Sequence, residues 1–195
     1  PRSGWIVPVV VGLIIICVPF CVVTGLLIGI WGYFSPRANQ WLITPALDLM
    51  QTMPTFVYLI PVLILFGLGI APGLIVTIVF ACPAPIRLTY LGITSVPKPM
   101  IEAGEAFGAT KRQLLWKVEL PAALPTIMAG LTQCIMLSLS MVVIAALIGA
   151  NGLGKPVVRA LNTVNIPLGL EAGLAIVILA IILDRMSRVS TGGPQ

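Results

Sequence analysis

The 195-residue sequence has no histidine and very few charged residues. Histidine is the side chain most often used as a general base or metal ligand near neutral pH, so its absence argues against most hydrolases and metalloenzymes. Only 9% of the residues are charged, whereas a soluble domain carries about 25%. This deficit indicates a protein whose surface faces something other than water.

Cysteine is also scarce. The four cysteines, Cys17, Cys21, Cys82 and Cys134, lie in apolar stretches and lack the spacing of a metal site. Cys17 and Cys21 are one helical turn apart, which leaves metal or redox chemistry open. Buried cysteine more often packs as a small hydrophobe. We therefore expect no metal and no cofactor in this chain.

What remains is apolar: 58% of the residues are hydrophobic and the mean hydropathy is +1.10. Runs long enough to cross a hydrocarbon core of about 30 Å recur along the chain. We predict an all-α, polytopic membrane protein with one transmembrane domain over residues 1–195. Its five expected spans are 5–33, 54–69, 72–92, 122–149 and 166–183. An amphipathic helix over 41–53 leads through Pro54 into the second span, and Pro83 and Pro85 interrupt the third.

The basic residues favour one orientation of these spans. If the polar stretch 94–121 is cytoplasmic, seven bases lie inside, namely Arg37, Lys98, Lys111, Arg112, Lys117, Arg185 and Arg188. Three lie outside, namely Arg2, Lys155 and Arg159. This asymmetry follows the positive-inside rule and puts the N-terminus outside and the C-terminus in the cytoplasm. The bases lack the aromatic interleaving of a nucleic-acid surface, so we expect no nucleic acid as a partner.

The stretch 94–121 holds the most specific pattern. Residues 101–107 predict a short amphipathic helix, and Gly108 is the usual left-handed residue that ends one. A second, basic helix is expected over 110–119. Pro121 then fits the first turn of the fourth span, where its missing N–H does no harm. Such a helix–glycine–helix can act as a rigid knob for a cytoplasmic partner.

This stretch resembles the EAA loop of binding-protein-dependent ABC permeases, which reads E-A-A, three residues, G, nine residues, then I-x-L-P. Gly104 replaces the third Ala and Val118 replaces Ile. A plain amphipathic surface helix is the alternative. The residues that the resemblance assigns to contact with an ATPase are Glu102, Ala103, Gly104, Glu105, Ala106, Phe107, Gly108, Leu120 and Pro121.

The resemblance extends to residues 51–58, 137–145 and 152–154, which are similar to the glycine betaine/proline branch of these permeases. It implies a five-helix core of the type I importer kind, in the bacterial inner membrane. It also implies a second permease subunit (here a second copy), two ATPase subunits that hold ATP and Mg²⁺, and an extracytoplasmic substrate-binding protein. Choline or carnitine would fit the pattern as well as glycine betaine.

Several residues within the spans have two interpretations. Thr132, Met136 and Ser140 share one face of the fourth span, with Gln133 beside them. They line a solute pathway or form hydrogen bonds between helices. We expect Arg87 to extend to the inner interface rather than to act within the membrane.

Two other classes of protein are less consistent with the sequence. An ion-coupled secondary transporter would need inverted repeats and an ionisable pair near the midplane, and neither is expected here. An intramembrane enzyme would need a catalytic group, such as histidine or a membrane-embedded pair of aspartates. The sequence begins at Pro1 rather than Met, so we expect residues before it to be missing or removed.

The orientation can be tested by labelling. In a variant without native cysteines, a cysteine at Ser35 or Thr110 should react only with reagent on the cytoplasmic side, and one at Asn162 only with reagent outside. The seven-to-three distribution of bases is the reason. The reverse pattern would contradict both the topology and the cytoplasmic position of the loop.

Overall fold

A computed structural model describes residues 6–150, 152 and 154–189, and within these ranges every regular element is a helix. The expected positions of Arg2, Trp5 and Leu153 lie outside the described residues. The helices are α1 (Ile6–Phe34), α2 (Pro36–Thr52), α3 (Thr55–Phe66), α4 (Ile70–Ala81), α5 (Pro83–Thr94), α6 (Lys98–Ala106), α7 (Lys111–Leu147), α8 (Gly154–Thr163) and α9 (Ile166–Val189).

Four helical stretches in the described part of the chain are long and apolar enough to cross a membrane: Ile16–Phe34, Ile70–Thr94, Lys111–Leu147 and Ile166–Met186. A fifth span exists if α2 and α3 are counted together, although they meet at 93°. The 12 residues of α3 extend only about 18 Å. The all-α, polytopic prediction is therefore confirmed, and the expected change from an amphipathic helix to a second apolar helix at Pro54 is a sharp bend.

The third span differs from expectation, because Pro83 and Pro85 do not interrupt it. Cys82 keeps right-handed helical angles, with φ −59° and ψ −35°, so α4 and α5 form one crossing of 25 residues. The fixed φ of proline suits a helix, and only its missing N–H and ring interfere with the turn before it. Both prolines are buried, and Pro85 is a packing surface for α1 and α7.

The core lies where α1, the α4–α5 span and α7 meet. Cys21, Ala81, Cys134 and Leu139 belong to one buried cluster there. Cys17 is also fully buried, and none of the described groups of His, Cys, Asp and Glu could hold a metal ion. The interpretation of these cysteines as packing residues agrees with their burial.

Close approach of α1 to α5 depends on the absence of a side chain at Gly25. A Cβ built there would lie 2.7 Å from the Cβ of Pro85 and 3.0 Å from its carbonyl carbon. Both atoms belong to a rigid, buried residue. One of the two helices would therefore have to move to admit even a methyl group.

Replacement of Gly25 by alanine should destabilise the purified subunit by about 1–3 kcal/mol, because overpacking forces the helices apart. Gly173→Ala in α9 is the matched control, since a Cβ there meets no atom within 4 Å. Thermal unfolding in detergent should show a lower midpoint for the first variant and no loss for the second. Equal midpoints would mean that α1 and α5 are not in close contact.

Candidate coupling site

Helix α6 ends in the turn that the sequence predicts. Gly108 has a φ of +78°, in the left-handed region. Its N–H donates to the carbonyl of Glu105 at 2.9 Å, and the Ala109 N–H donates to the carbonyl of Gly104 at 3.2 Å. These two bonds are those of the Schellman motif. The end of the helix is therefore fixed by glycine's freedom at one position.

The second helix begins just beyond this turn. The Thr110 side chain accepts from the Gln113 N–H, and the Gln113 side chain accepts in return from the Thr110 N–H at 2.9 Å. This reciprocal capping box satisfies two of the free N–H groups at the start of a helix. Gly108 and Thr110 together set the angle at which the chain reverses between α6 and α7.

The prediction that Pro121 begins a new helix is wrong. Helix α7 runs from Lys111 to Leu147 without a break, so the second helix of the loop and the fourth span are one element. Residues Leu115–Glu119 form a π turn, in which the Leu120 N–H donates to the carbonyl of Leu115, five residues back. Pro121 follows directly after this wider turn, and the helix continues through it.

Gly104, where the sequence departs from the E-A-A pattern, lies at the contact between α6 and α7. A Cβ at this position would lie 2.5 Å from the Cδ1 of Leu114, which is the flexible end of a buried side chain. An alanine here would require Leu114 to shift. The glycine thus lies directly against the first turn of α7.

The outer surface of α6 is open. None of its residues is buried, and Phe107, which follows it, is 92% exposed. Glu102, Ala103, Glu105, Ala106 and Gly108 are likewise exposed, Gly104 and Leu120 are half-buried, and Pro121 is exposed. An aromatic side chain projecting so far from a short helix is suited to a pocket on another protein.

Sequence reasoning missed a hydrogen bond between half-buried Tyr33 and buried Glu119, where the loop enters the membrane domain. The Tyr33 hydroxyl of α1 donates to the Oε1 of Glu119 at 2.8 Å, and Glu119 is 1% exposed. Glu119 lies in the π turn, beside the buried cluster of Ile93, Leu115, Ala123 and Ile127. The pair ties the membrane end of the loop to the first span.

The four predicted pathway residues are on one side of α7. Gln133 and Ser140 are exposed, and Thr132 and Met136 are half-buried. The Ser140 hydroxyl donates to the carbonyl of Met136 at 3.0 Å, within its own helix. Ser140 therefore donates no hydrogen bond to another helix of this chain. The pathway role of the four residues stays a prediction.

Sequence reasoning also missed an ion pair between two helices that belong to candidate spans, and the expectation that Arg87 extends to the inner interface stays a prediction. The Arg87 guanidinium of α5 donates to the carboxylate of Asp48 on α2, and the two form an ion pair. The pair borders a cavity of about 270 Å³ whose other polar residues are Asn39, Thr44 and Tyr90. None of the predicted pathway residues lines this cavity.

Comparison with known proteins defines the class of this membrane protein. The family model described as the binding-protein-dependent transport system inner membrane component matches residues 21–190. The chain belongs to this family.

Its curated relatives are more specific. Over 180 residues the chain is 53% identical to the glycine betaine/proline betaine transport system permease protein ProW of Escherichia coli, covering 92% of this chain and 51% of that protein. It is 51% identical over 176 residues to the glycine betaine transport system permease protein OpuAB of Bacillus subtilis, covering 90% and 62% respectively. The chain thus spans about half to three-fifths of the length of these relatives.

The fold resembles that of a solved importer. A chain of the MetNI methionine ABC transporter in an inward-facing conformation matches with a TM-score of 0.79 and 23% identity. The match covers 94% of each chain. The similarity confirms the predicted all-α membrane fold.

The turn at Gly108 can be tested with a matched pair of variants. Gly108→Val should reduce transport sharply while the subunit still inserts, because a β-branched residue tolerates positive φ poorly. Gly108→Asn should keep most of the transport, since asparagine adopts this conformation far more readily. Uptake by membrane vesicles, normalised to subunit content, is the measurement, and near-normal uptake by Gly108→Val would mean that the loop is only a surface feature.

Proposed function

We propose that this chain forms the membrane-spanning permease of an ATP-driven importer for a small zwitterionic solute such as glycine betaine or proline betaine. The observation that carries the proposal is the exposed helix α6, joined through a fixed turn to the continuous helix α7. Family membership supports the same role. The chain itself would hydrolyse nothing, and ATP and Mg²⁺ would be held by a separate ATPase.

Helix α6 would contact the ATPase through the residues from Glu102 to Gly108. Its apolar projection, Phe107, would enter a pocket there. A displacement of α6 would pass directly to the membrane through α7, because the two helices are in contact at Gly104 and Leu114. The Tyr33–Glu119 bond would carry part of that displacement to α1.

The choice of solute rests on the relatives. The relatives that are about 50% identical over the aligned residues are named for glycine betaine, proline betaine and carnitine. More distant relatives are named for trimethylamine N-oxide and choline. All but choline carry both a positive nitrogen and a negative oxygen, so we assign a zwitterion of this type, with choline as the alternative.

The assembly would contain two copies of the permease, two ATPase subunits, an extracytoplasmic substrate-binding protein and surrounding lipid. One copy has too few helices to enclose a solute path with two gates, whereas a symmetric pair can do so at its interface. In the orientation we favour, the N-terminus is outside, the C-terminus is cytoplasmic, and stretch 94–121 within the single domain faces the ATPase.

Selectivity should reside mainly in the binding protein. The isolated permease should bind glycine betaine no more tightly than the millimolar range, as measured by isothermal titration. Trp31 and Trp41 are at exposed positions rather than clustered in a cage for a cation. The complete assembly should hydrolyse ATP faster when both glycine betaine and the binding protein are present.

The binding and uptake measurements distinguish the proposed importer from its alternatives. Micromolar binding to the isolated permease would place selectivity within the spans and contradict this division of labour. Uptake that persists without ATP but follows an ion gradient would identify a secondary transporter instead. Exchange of the binding protein for one of different specificity, with its docking surface kept, should change the solute that is transported.

A further inference from the structure

We propose that Asp48 and Arg87 form a solute-contact site on the translocation pathway, where the carboxylate of a zwitterion meets Arg87 and its cationic nitrogen meets Asp48. The inference rests on the proposed function, because it assigns the zwitterion a place within the permease. The solute would bind this site weakly as it passes along the pathway. It is therefore compatible with a selective binding protein elsewhere in the assembly.

The two charges lie on helices that belong to candidate spans. Arg87 is within Ile70–Thr94, and Asp48 is within α2, which together with α3 forms the bent second span. The nearby end of α2 is where the second span bends by 93°. Bends of this kind leave backbone groups without helical partners, and they are tolerated where they border protein or a water-filled cavity.

Neither charge is sealed within the fold. The side chains of Arg87 and Asp48 are 46% and 56% exposed. A charged side chain at the centre of a transmembrane helix costs about 2.5–3.5 kcal/mol even on insertion scales. The pair avoids this cost if its exposed side faces water or protein, and a solute pathway would supply that surrounding.

Stability alone does not account for the pair. Ion pairs between side chains as exposed as these contribute only about 0–1 kcal/mol to stability. The hydrophobic positions around it, Ile28, Ile43, Leu47 and Ile86, already hold α1, α2 and α5 together. Ionisable residues within transmembrane segments often mark a pathway for a solute or ion.

The chemistry of the cavity fits a methylated zwitterion. Its volume of about 270 Å³ is close to the lower end of the ~300–1,000 Å³ found for small-molecule sites. A guanidinium recognises a carboxylate through paired N–H donors. The aliphatic walls suit the methyl groups of a quaternary nitrogen, and Tyr90 adds an aromatic ring that can face the cation.

Because Asp48 and Arg87 are already paired, binding of a zwitterion breaks their ion pair and forms two new ion pairs, one between the solute and each side chain. The number of charge contacts rises, but the bond between the two side chains is lost. The net gain is therefore small, as expected for a site that must release the solute. This is consistent with weak binding by the isolated permease.

The test uses the complete importer, with its ATPase and binding protein, in proteoliposomes loaded with ATP. Four variants are compared with wild type: Asp48→Asn, Arg87→Gln, the two combined, and the exchange Asp48→Arg with Arg87→Asp. Arg37→Gln is the control, because it removes a charge from the same helix α2 outside the cavity. Glycine betaine uptake and the ATP hydrolysis that the binding protein stimulates are measured in parallel.

Each single variant should lower uptake at least tenfold, while stimulated ATP hydrolysis and the Arg37→Gln control stay within twofold of wild type. The combined neutral variant leaves no unpaired charge to disturb assembly, yet its uptake should stay low. The exchange variant should also fail, because it keeps the ion pair but reverses the charges presented to the solute.

Recovery of normal uptake in the combined or the exchange variant would show that the pair is only a structural contact and would overturn the proposal. Uptake within twofold of wild type in both single variants would do the same. An absence of glycine betaine uptake by the wild-type assembly would instead contradict the proposed function, so the two failures are distinguishable.

Discussion

Helix α7 packs against α1, α4, α5, α8 and α9, and its first residues also belong to the polar stretch 94–121. Its 37 residues join a polar segment to the centre of the membrane domain without a flexible joint. A force applied to α6 therefore reaches the core through helical backbone and through side chains already in contact. The bent second span and the exposed helix α9 are arranged around this central helix.

The close packing around α7 limits how the domain can deform. Gly130 of α7 lies against Leu88 and Pro85, where a Cβ would come within 3.2 Å of both residues. Because packed helices with so little free space resist gradual deformation, they tend to move as rigid bodies. This packing therefore favours displacement of whole helices over gradual deformation within the bundle.

Local patterns in the sequence were enough to predict the helical class, most span positions and the turn at Gly108. Each depends on residues close together in the chain, such as an apolar run or a glycine after an amphipathic segment. The continuity of α7 through Pro121 was not predicted, because proline locally indicates the start of a helix and only the π turn shows otherwise. The pairs Tyr33–Glu119 and Asp48–Arg87 join residues 86 and 39 positions apart, and nothing in their neighbourhoods indicates the partner.

The π turn at Leu115–Glu119 also affects how the loop is oriented relative to the membrane domain. A π turn holds one residue more than an α turn, and each residue turns a helix by about 100°. The side chains of Lys111–Leu114 are therefore rotated by about that angle relative to the direction that an unbroken α-helix would give them. Loss of one residue between Leu115 and Glu119 would restore regular α-helix and turn α6 towards a different side of the molecule, although the composition of both regions would hardly change.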